Sequence, residues 1–222
     1  MNKISFVIPS YNHWELTHQL LYDIYNTSPN VEEVLVINNG STDKENYTGI
    51  QWWENTKMLP ITDLLIEKNV GFLKACNVGV KEAKGDVIIL VSNDVRIHND
   101  VLPYILQCMK IYKDKCIIGG KLYTESTGWN NFDGKIFPYL EGWLLVFTKD
   151  AWNEIGGFDP LYAPNDFEDI DFSTSAKSLG YTLVSLPAVD TTHTGAQTIS
   201  YGPEREALTK INREKFRKKW VK

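Results

Sequence analysis

Two groups of acidic residues in this chain of 222 residues stand where a catalytic or ligand-binding carboxylate could act. The first group is Asp94, which follows Ser92 and Asn93 at the end of the apolar run Val87–Val91. Such a run is typical of a strand buried on both faces of a parallel sheet, and ligands of these sheets bind beyond the carboxyl ends of the strands. A carboxylate there can bind a cation and, through it, a phosphate. The alternative is an ordinary turn, since Asn and Asp are common turn residues.

The second group is the pair Glu168 and Asp169, in the first turn of a predicted helix. At about 100° per residue, each lies about 50° from the apolar stripe that runs from Phe172 to Leu179, so both can face inward, whereas Asp171 points further away. A carboxylate in this position could take a proton from a hydroxyl. The alternative is that the acids only stabilise the helix start, where exposed N–H groups and the helix dipole favour anions. Spacing does not choose between the two acids.

The elements that position Asp94 alternate between strands and helices. Strands are predicted at Ile4–Ile8, Val34–Ile37, Leu64–Ile66 and Val87–Val91. A first helix is predicted after Asn12, which has capping-box spacing to Glu15. A second helix is predicted from Phe72 to the stop at Gly85. This alternation predicts right-handed βαβ units and a parallel sheet. The polar stretch 45–60, with Trp52 and Trp53, is predicted to be irregular or weakly helical.

The second half of the chain has a less regular pattern. A helix is predicted over Val101–Tyr112 and a short strand at Cys116–Ile118, and Trp143–Phe147 is a further apolar run. A helix is predicted from Asn165 or Asp166 to Gly180, a last strand at Tyr181–Leu186 and a basic helix from Glu204 to Trp220. Between them, Tyr123–Tyr139 is rich in Gly, Asn and aromatic residues without a clean period, which indicates a loop-rich region. Loops of this kind often carry function.

Composition excludes several classes of protein. A net charge of −5 argues against general nucleic-acid binding. The three cysteines have no spacing typical of a zinc site and lie among apolar neighbours, so we expect no disulfides and a reducing compartment. No apolar segment is long enough for a signal peptide or a membrane span, and a soluble, cytoplasmic protein is therefore expected.

A series of motifs in order resembles family 2 glycosyltransferases of the GT-A fold. They are SFVIPSYNH, VLVINNGSTD, NVGFLKACNVGV, VSNDV, GGFDP, FEDID and THTG, and the resemblance extends from Ile4 to about Gln197. Within the family the chain is most similar to the rhamnosyltransferase-like group. The resemblance implies an α/β fold with a mostly parallel central sheet flanked by helices and a Rossmann-like N-terminal half. It also implies one domain, with a nucleotide-sugar-binding half at 1–97, an acceptor and catalytic half at 98–200, and a basic C-terminal helix at 201–222.

The resemblance assigns roles to individual residues. Asp169 matches the catalytic base, with Glu168 beside it, and Asp94 and His193 match positions that meet a divalent metal, Mn²⁺ or Mg²⁺. The positions expected to bind donor or acceptor are Pro9, Tyr11, Asn39, Gly71, Lys74, Asn93 and Trp143.

Three positions depart from the family pattern. Ser92 replaces the first acid of the metal motif, which leaves Asp94 as its one carboxylate. Asn39 replaces an acid that contacts a pyrimidine N–H, although an amide oxygen can accept the same bond. Ser175 stands where Arg is frequent, so one expected cation has no assigned residue.

The implied activity is inverting transfer of a sugar from a UDP- or dTDP-type donor to a hydroxyl on a saccharide, lipid-linked or protein acceptor, in polysaccharide or glycoconjugate synthesis. One alternative is an inactive module that binds sugar nucleotides, which Ser92 and Ser175 favour. The other is a nucleotidyltransferase, although the expected Gly-rich basic loop is replaced by PSYNHWE after the first strand. The basic terminal helix is expected either to pack by its apolar side or to contact an anionic membrane peripherally.

Overall fold

The computed structural model describes residues 3–28, 30–195 and 202–221. Its strands are β1 (Ile4–Ser10), β2 (Glu33–Asn39), β3 (Ile61–Ile66), β4 (Val87–Val91), β5 (Val95–Ile97), β6 (Cys116–Gly119), β7 (Leu122–Tyr123), β8 (Asn131–Phe132), β9 (Lys135–Ile136), β10 (Tyr139–Leu140), β11 (Leu144–Thr148), β12 (Thr182–Ser185) and β13 (Thr191–His193). Its helices are α1 (Trp14–Thr27), α2 (Lys44–Thr56), α3 (Phe72–Glu82), α4 (Leu102–Tyr112), α5 (Lys149–Ile155), α6 (Glu168–Ser178) and α7 (Pro203–Trp220), with a 3-10 turn at Pro160–Tyr162.

Seven strands form a central sheet in the order β12-β6-β11-β4-β1-β2-β3. Strands β4, β1, β2 and β3 run parallel to one another, as do β12 and β6. Strand β11 lies between β4 and β6 and is antiparallel to both. The predicted α/β fold with a mostly parallel sheet is therefore confirmed.

The core lies on both faces of this sheet because successive residues of a strand point to opposite sides. In β1, Val7 packs in the cluster that contains Leu73 of α3, whereas Phe6 and Ile8 pack in the cluster that contains Leu20 of α1. Every residue of β1 is buried, as expected for a strand at the centre of an α/β sheet.

The loops after β1 and β2 meet at the carboxyl edge of the sheet. The Asn12 N–H donates to Ser41 Oγ at 2.9 Å, and Asn12 Oδ1 accepts from the Thr42 N–H at 2.8 Å. The predicted capping box of Asn12 is wrong, because its side chain is used by this second loop and α1 begins after His13 instead. Asn12 and His13 both have a positive φ, which turns the chain sharply from strand to helix.

Other predicted elements also need correction. Residues 44–56 form a regular helix, α2, because Trp53 is fully buried and its Nε1–H donates to His18 Nδ1 at 3.1 Å. Helix α5 was not predicted. The strand at Tyr181–Leu186 is not the last, because β13 follows it and pairs with β5 in a separate two-stranded sheet.

Helix α7 packs against the loop-rich region by its inner face. The Phe216 ring lies 5.2 Å from that of Phe132 and 5.1 Å from that of Phe137, and Phe216 is fully buried. This packing agrees with the expectation that α7 covers its apolar side with protein. No helix within the described part of the chain is long and apolar enough to cross a membrane.

Candidate active site

A cleft of about 990 Å³ opens at the carboxyl edge of the sheet. The predicted site residues that line it are Pro9, Tyr11, Asn39, Gly71, Asn93, Asp94, Trp143, Glu168, Asp169 and His193. Lys74 is not among the described residues that line the cleft, and it lies on an exposed position of α3. The structure thus collects at one edge residues that are far apart in the chain, while their roles remain predictions.

Asp94 and His193 come together because β5 and β13 pair. His193 is opposite Val95 in this pairing, and the Thr194 N–H and hydroxyl both donate to the Asp94 carbonyl oxygen. As a result, His193 Nε2 lies 3.2 Å from Asp94 Oδ1. The imidazole stacks on the Trp143 ring at 5.2 Å, which fixes its orientation. Asp94 is only 7% exposed, so its carboxylate is held within this pair.

The geometry of this pair suits a divalent cation whose remaining ligands are supplied by water or substrate. Two donor atoms that each lie about 2.1 Å from one ion, with a right angle between the two bonds, are about 3.0 Å apart. His193 Nε2 and Asp94 Oδ1 are 3.2 Å apart, which is close to this distance. Mg²⁺ usually keeps several waters and needs few protein ligands, while an imidazole nitrogen suits Mn²⁺ better. Across residues 3–28, 30–195 and 202–221, no group of three or more His, Cys, Asp and Glu side chains could hold a metal ion.

The amide of Asn39 braces the loop that leads into α3. Asn39 Oδ1 accepts from the Val70 N–H at 3.0 Å, and its Nδ2–H donates to Asn69 Oδ1 at 3.1 Å. One lone pair of Oδ1 remains for a ligand. Gly71 has a φ of 86°, and a Cβ there would lie 2.7 Å from Pro164 Cβ, so this loop passes too close to its neighbour for a side chain.

The carboxylate of Asp169 is held by two backbone N–H groups. Gly142 N–H donates to Oδ2 at 3.1 Å and Ile170 N–H donates to Oδ1 at 2.8 Å. Burial raises the pKa of Asp169 to about 7, although both hydrogen bonds act to lower it. A carboxylate with this pKa can accept a proton near neutral pH.

Glu168 has different surroundings. It is 6% exposed, and no described residue hydrogen-bonds its Oε2. Burial, followed by the charge of Asp169, raises the pKa of Glu168 well above its ordinary value. Glu168 is therefore harder to ionise than an ordinary glutamate, whereas Asp169 is suited to act as a base. The structure thus distinguishes two acids that spacing could not.

The prediction that Asp171 points further from the core than Glu168 and Asp169 is wrong, because Asp171 is buried. It is 2% exposed, its Oδ1 accepts from the Tyr162 hydroxyl at 3.0 Å and from Trp220 Nε1 at 2.7 Å, and its Oδ2 accepts from Lys219 Nζ at 2.9 Å. Helix α7 covers this face of α6, which the periodicity of α6 alone could not indicate. The predicted apolar stripe also ends early, because Leu179 lies beyond α6 and is exposed.

Sequence reasoning missed the contribution of α7 to the cleft. Arg205 lines the cleft and forms a two-pronged ion pair with Asp166, with Nη2 2.8 Å from Oδ1 and Nε 3.2 Å from Oδ2. The Thr209 hydroxyl donates to the same carboxylate at 2.7 Å. The only sequence signal for this arrangement was the basic character of the terminal helix, which does not indicate where the helix packs.

A model of glycosyl transferase family 2 matches residues 5–165 of the chain. A dolichol-phosphate mannosyltransferase from Pyrococcus furiosus is 28% identical over 130 residues, which cover 54% of this chain and 35% of that protein. The chain spans between 20% and 35% of the length of the curated relatives it matches.

Solved structures resemble the chain at lower identity. The mannosyltransferase PcManGT from Pyrobaculum calidifontis, in complex with GDP-Man and Mn²⁺, has a TM-score of 0.71 at 19% identity, over 89% of this chain and 58% of that one. TarS from S. aureus, in complex with UDP-GlcNAc, has a TM-score of 0.64 at 19% identity, over 83% of this chain and 56% of that one. At these identities the likeness shows a shared fold.

Proposed function

Because the chain belongs to glycosyl transferase family 2 and has the GT-A fold, we propose that it transfers a sugar from a nucleotide diphosphate sugar to an acceptor hydroxyl. The observation that carries this proposal is the position of Asp169 in the same cleft as the Asp94–His193 pair. One group is suited to take a proton from an acceptor, and the other to hold the charged part of a donor.

The proposed reaction inverts the anomeric carbon. The acceptor oxygen attacks that carbon and forms the new glycosidic bond, while the bond to the diphosphate oxygen breaks and its electron pair leaves with the nucleoside diphosphate. Asp169 takes the acceptor proton, and the Gly142 and Ile170 N–H groups keep its carboxylate in place. Asp94 and His193 would hold a divalent metal, which would supply positive charge for the departing diphosphate.

The donor and acceptor classes are also part of the proposal. The similar structures contain GDP-Man or UDP-GlcNAc, which supports a nucleotide sugar as donor. The resemblance of the motifs to the family implies a UDP- or dTDP-type donor. The rhamnosyltransferase-like subgroup, a role in polysaccharide or glycoconjugate synthesis, and peripheral membrane contact remain proposals. Family membership favours glycosyl transfer over nucleotidyl transfer.

A donor screen tests the proposal. GDP-mannose, UDP-GlcNAc, UDP-glucose and dTDP-rhamnose are each added with Mn²⁺, with Mg²⁺ or with a chelator, and the melting temperature and the release of nucleoside diphosphate are measured. A ligand that binds the folded state raises the melting temperature by mass action. We expect one class of donor to do so in the presence of metal and to be turned over slowly. Binding without hydrolysis or transfer would instead indicate an inactive binding module, and binding of none would contradict the proposal.

A further inference from the structure

An exposed tryptophan lies in the cleft on the side of the loop-rich region. Trp129 lines the cleft and is 42% exposed. Tyr139 and Glu141 line the same cleft, and the Tyr139 ring stacks on that of Tyr123 at 5.0 Å. An indole offers a large rigid apolar face with little conformational entropy to lose when a ligand covers it.

The loop that carries Trp129 is held by a buried amide. Asn130 is fully buried, and its Nδ2–H groups donate to the carbonyl oxygens of Glu125 and Phe137, each at 3.1 Å. Its Oδ1 accepts from the Thr127 N–H at 2.8 Å and from the Thr127 hydroxyl at 3.1 Å. Trp129 is therefore presented by an ordered turn.

This turn is connected to the proposed base. The Phe137 N–H donates to the Asn130 carbonyl oxygen at 2.9 Å, which ties the turn to the segment leading into Tyr139, and burial, followed by the charge of Asp169, raises the pKa of Tyr139. Helix α7 supports the other side of the turn, because Arg213 Nη2 donates to the Asn131 carbonyl oxygen at 2.7 Å. Trp129 and Asp169 line the same cleft, and β10, which follows this turn, is hydrogen-bonded to α6 through the Leu140 N–H and Ser173 Oγ at 3.1 Å.

We propose that the acceptor is a pyranose whose C–H face stacks on the Trp129 indole, which places one of its hydroxyls at Asp169. This inference rests on the proposed function. A pyranose has apolar faces and a polar rim, and the cleft is lined both by this aromatic side chain and by the carboxylate of Glu141. A polyprenyl chain would need a continuous apolar groove, which acids at Glu141, Asp166 and Glu168 interrupt.

The test compares Trp129→Ala and Trp129→Phe with Trp52→Ala as a matched control. Trp52 is 49% exposed and is not among the described residues that line the cleft. Transfer is measured to methyl pyranosides of glucose, galactose, mannose, rhamnose and N-acetylglucosamine, to undecaprenyl phosphate and to a Ser/Thr peptide. Donor hydrolysis without acceptor is measured in parallel, and saturation-transfer NMR measures binding of the pyranosides without donor.

We expect Trp129→Ala to raise the KM for a pyranoside by about tenfold or more, with an intermediate rise for Trp129→Phe. The NMR signal of the bound pyranoside should weaken in the same order, and Trp52→Ala should match the unaltered protein. Equal use of pyranosides by Trp129→Ala, or transfer to the lipid or peptide alone, would overturn the inference. A different outcome would contradict the proposed function itself. In that case no donor would be hydrolysed, whereas pyranoside binding would still depend on Trp129.

Discussion

At the scale of single residues, Asp169 and Glu168 are adjacent acids whose carboxylates have different surroundings. Both lie in the first turn of α6, where the N–H groups and dipole favour anions. Both carboxylate oxygens of Asp169 are held by backbone N–H groups, whereas Oε2 of Glu168 has no hydrogen-bond partner among the described residues. Gly142 approaches Asp169 so closely that a Cβ there would lie 3.2 Å from Asp169 Cβ. Asp169 is therefore the oriented acid.

Replacing Asp169 should lower turnover without weakening donor binding. We expect Asp169→Asn to lower kcat by about 10²–10⁴, the usual contribution of a general base, with the Kd for the donor unchanged. The matched control is Asp150→Asn, an exposed acid in the first turn of α5, which should leave kcat unchanged. Equal kcat for Asp169→Asn and the unaltered protein would remove Asp169 from the mechanism.

The rate should depend on pH through the same group. Burial raises the pKa of Asp169 from 3.8 to about 7, and only the ionised carboxylate can accept a proton. With saturating donor and acceptor, kcat should therefore rise about tenfold per pH unit below about pH 7 and level off above it. A kcat that stays constant between about pH 5.5 and pH 8.5 would contradict this assignment.

At the scale of elements, the packing of α7 on α6 fixes the helix that carries the proposed base. Trp220 and Lys219 of α7 bind Asp171 on the buried side of α6, while Asp169 faces the cleft. Arg205 and Thr209, at the other end of α7, bind Asp166 just before α6. The terminal helix is thus a structural support of the site.

Asp171 should matter for stability. Asp171→Ala leaves the Tyr162 and Trp220 donors without their acceptor and the Lys219 ammonium without its buried partner, so we expect a loss of about 2–3 kcal/mol in the free energy of unfolding. That loss corresponds to a fall of about 5–10 °C in the melting temperature. Asp133→Asn, which removes the charge of an exposed ion pair with Arg217 and keeps a residue type that tolerates the positive φ there, should change it little. Equal melting temperatures for the two variants would show that Asp171 does not anchor α7.

At the scale of the whole molecule, the proposed metal pair exists only because two distant segments pair. Asp94 follows the central strand β4, and His193 lies on β13, beyond the last strand of the main sheet. The β5–β13 pairing and the stacking on Trp143 bring them together. Ser92 leaves the metal motif with one carboxylate, and His193, from another part of the fold, is a candidate for a second ligand.

The effect of metal on donor binding should depend on both Asp94 and His193. In the thermal-shift assay, Asp94→Ala should reduce the donor-induced shift with Mn²⁺ to the value measured with chelator. His193→Ala should lose mainly the preference for Mn²⁺ over Mg²⁺, because it removes the nitrogen ligand. His98→Ala, which alters another histidine beside the same strand pair, is the control. An unchanged metal response in Asp94→Ala would refute the role of this carboxylate.

The sequence by itself determined the strands of the parallel half, the carboxyl edge where ligands bind and the candidate acids, because buried strands and polar strand ends leave local patterns. Local patterns did not determine which acid of α6 is held in position at the cleft, the burial of Asp171 or the place of α7, and only the family resemblance linked Asp94 to His193. Those depend on contacts between segments far apart in the chain, and local periodicity carries no information about such contacts. Only the tertiary structure therefore decided how the site is assembled.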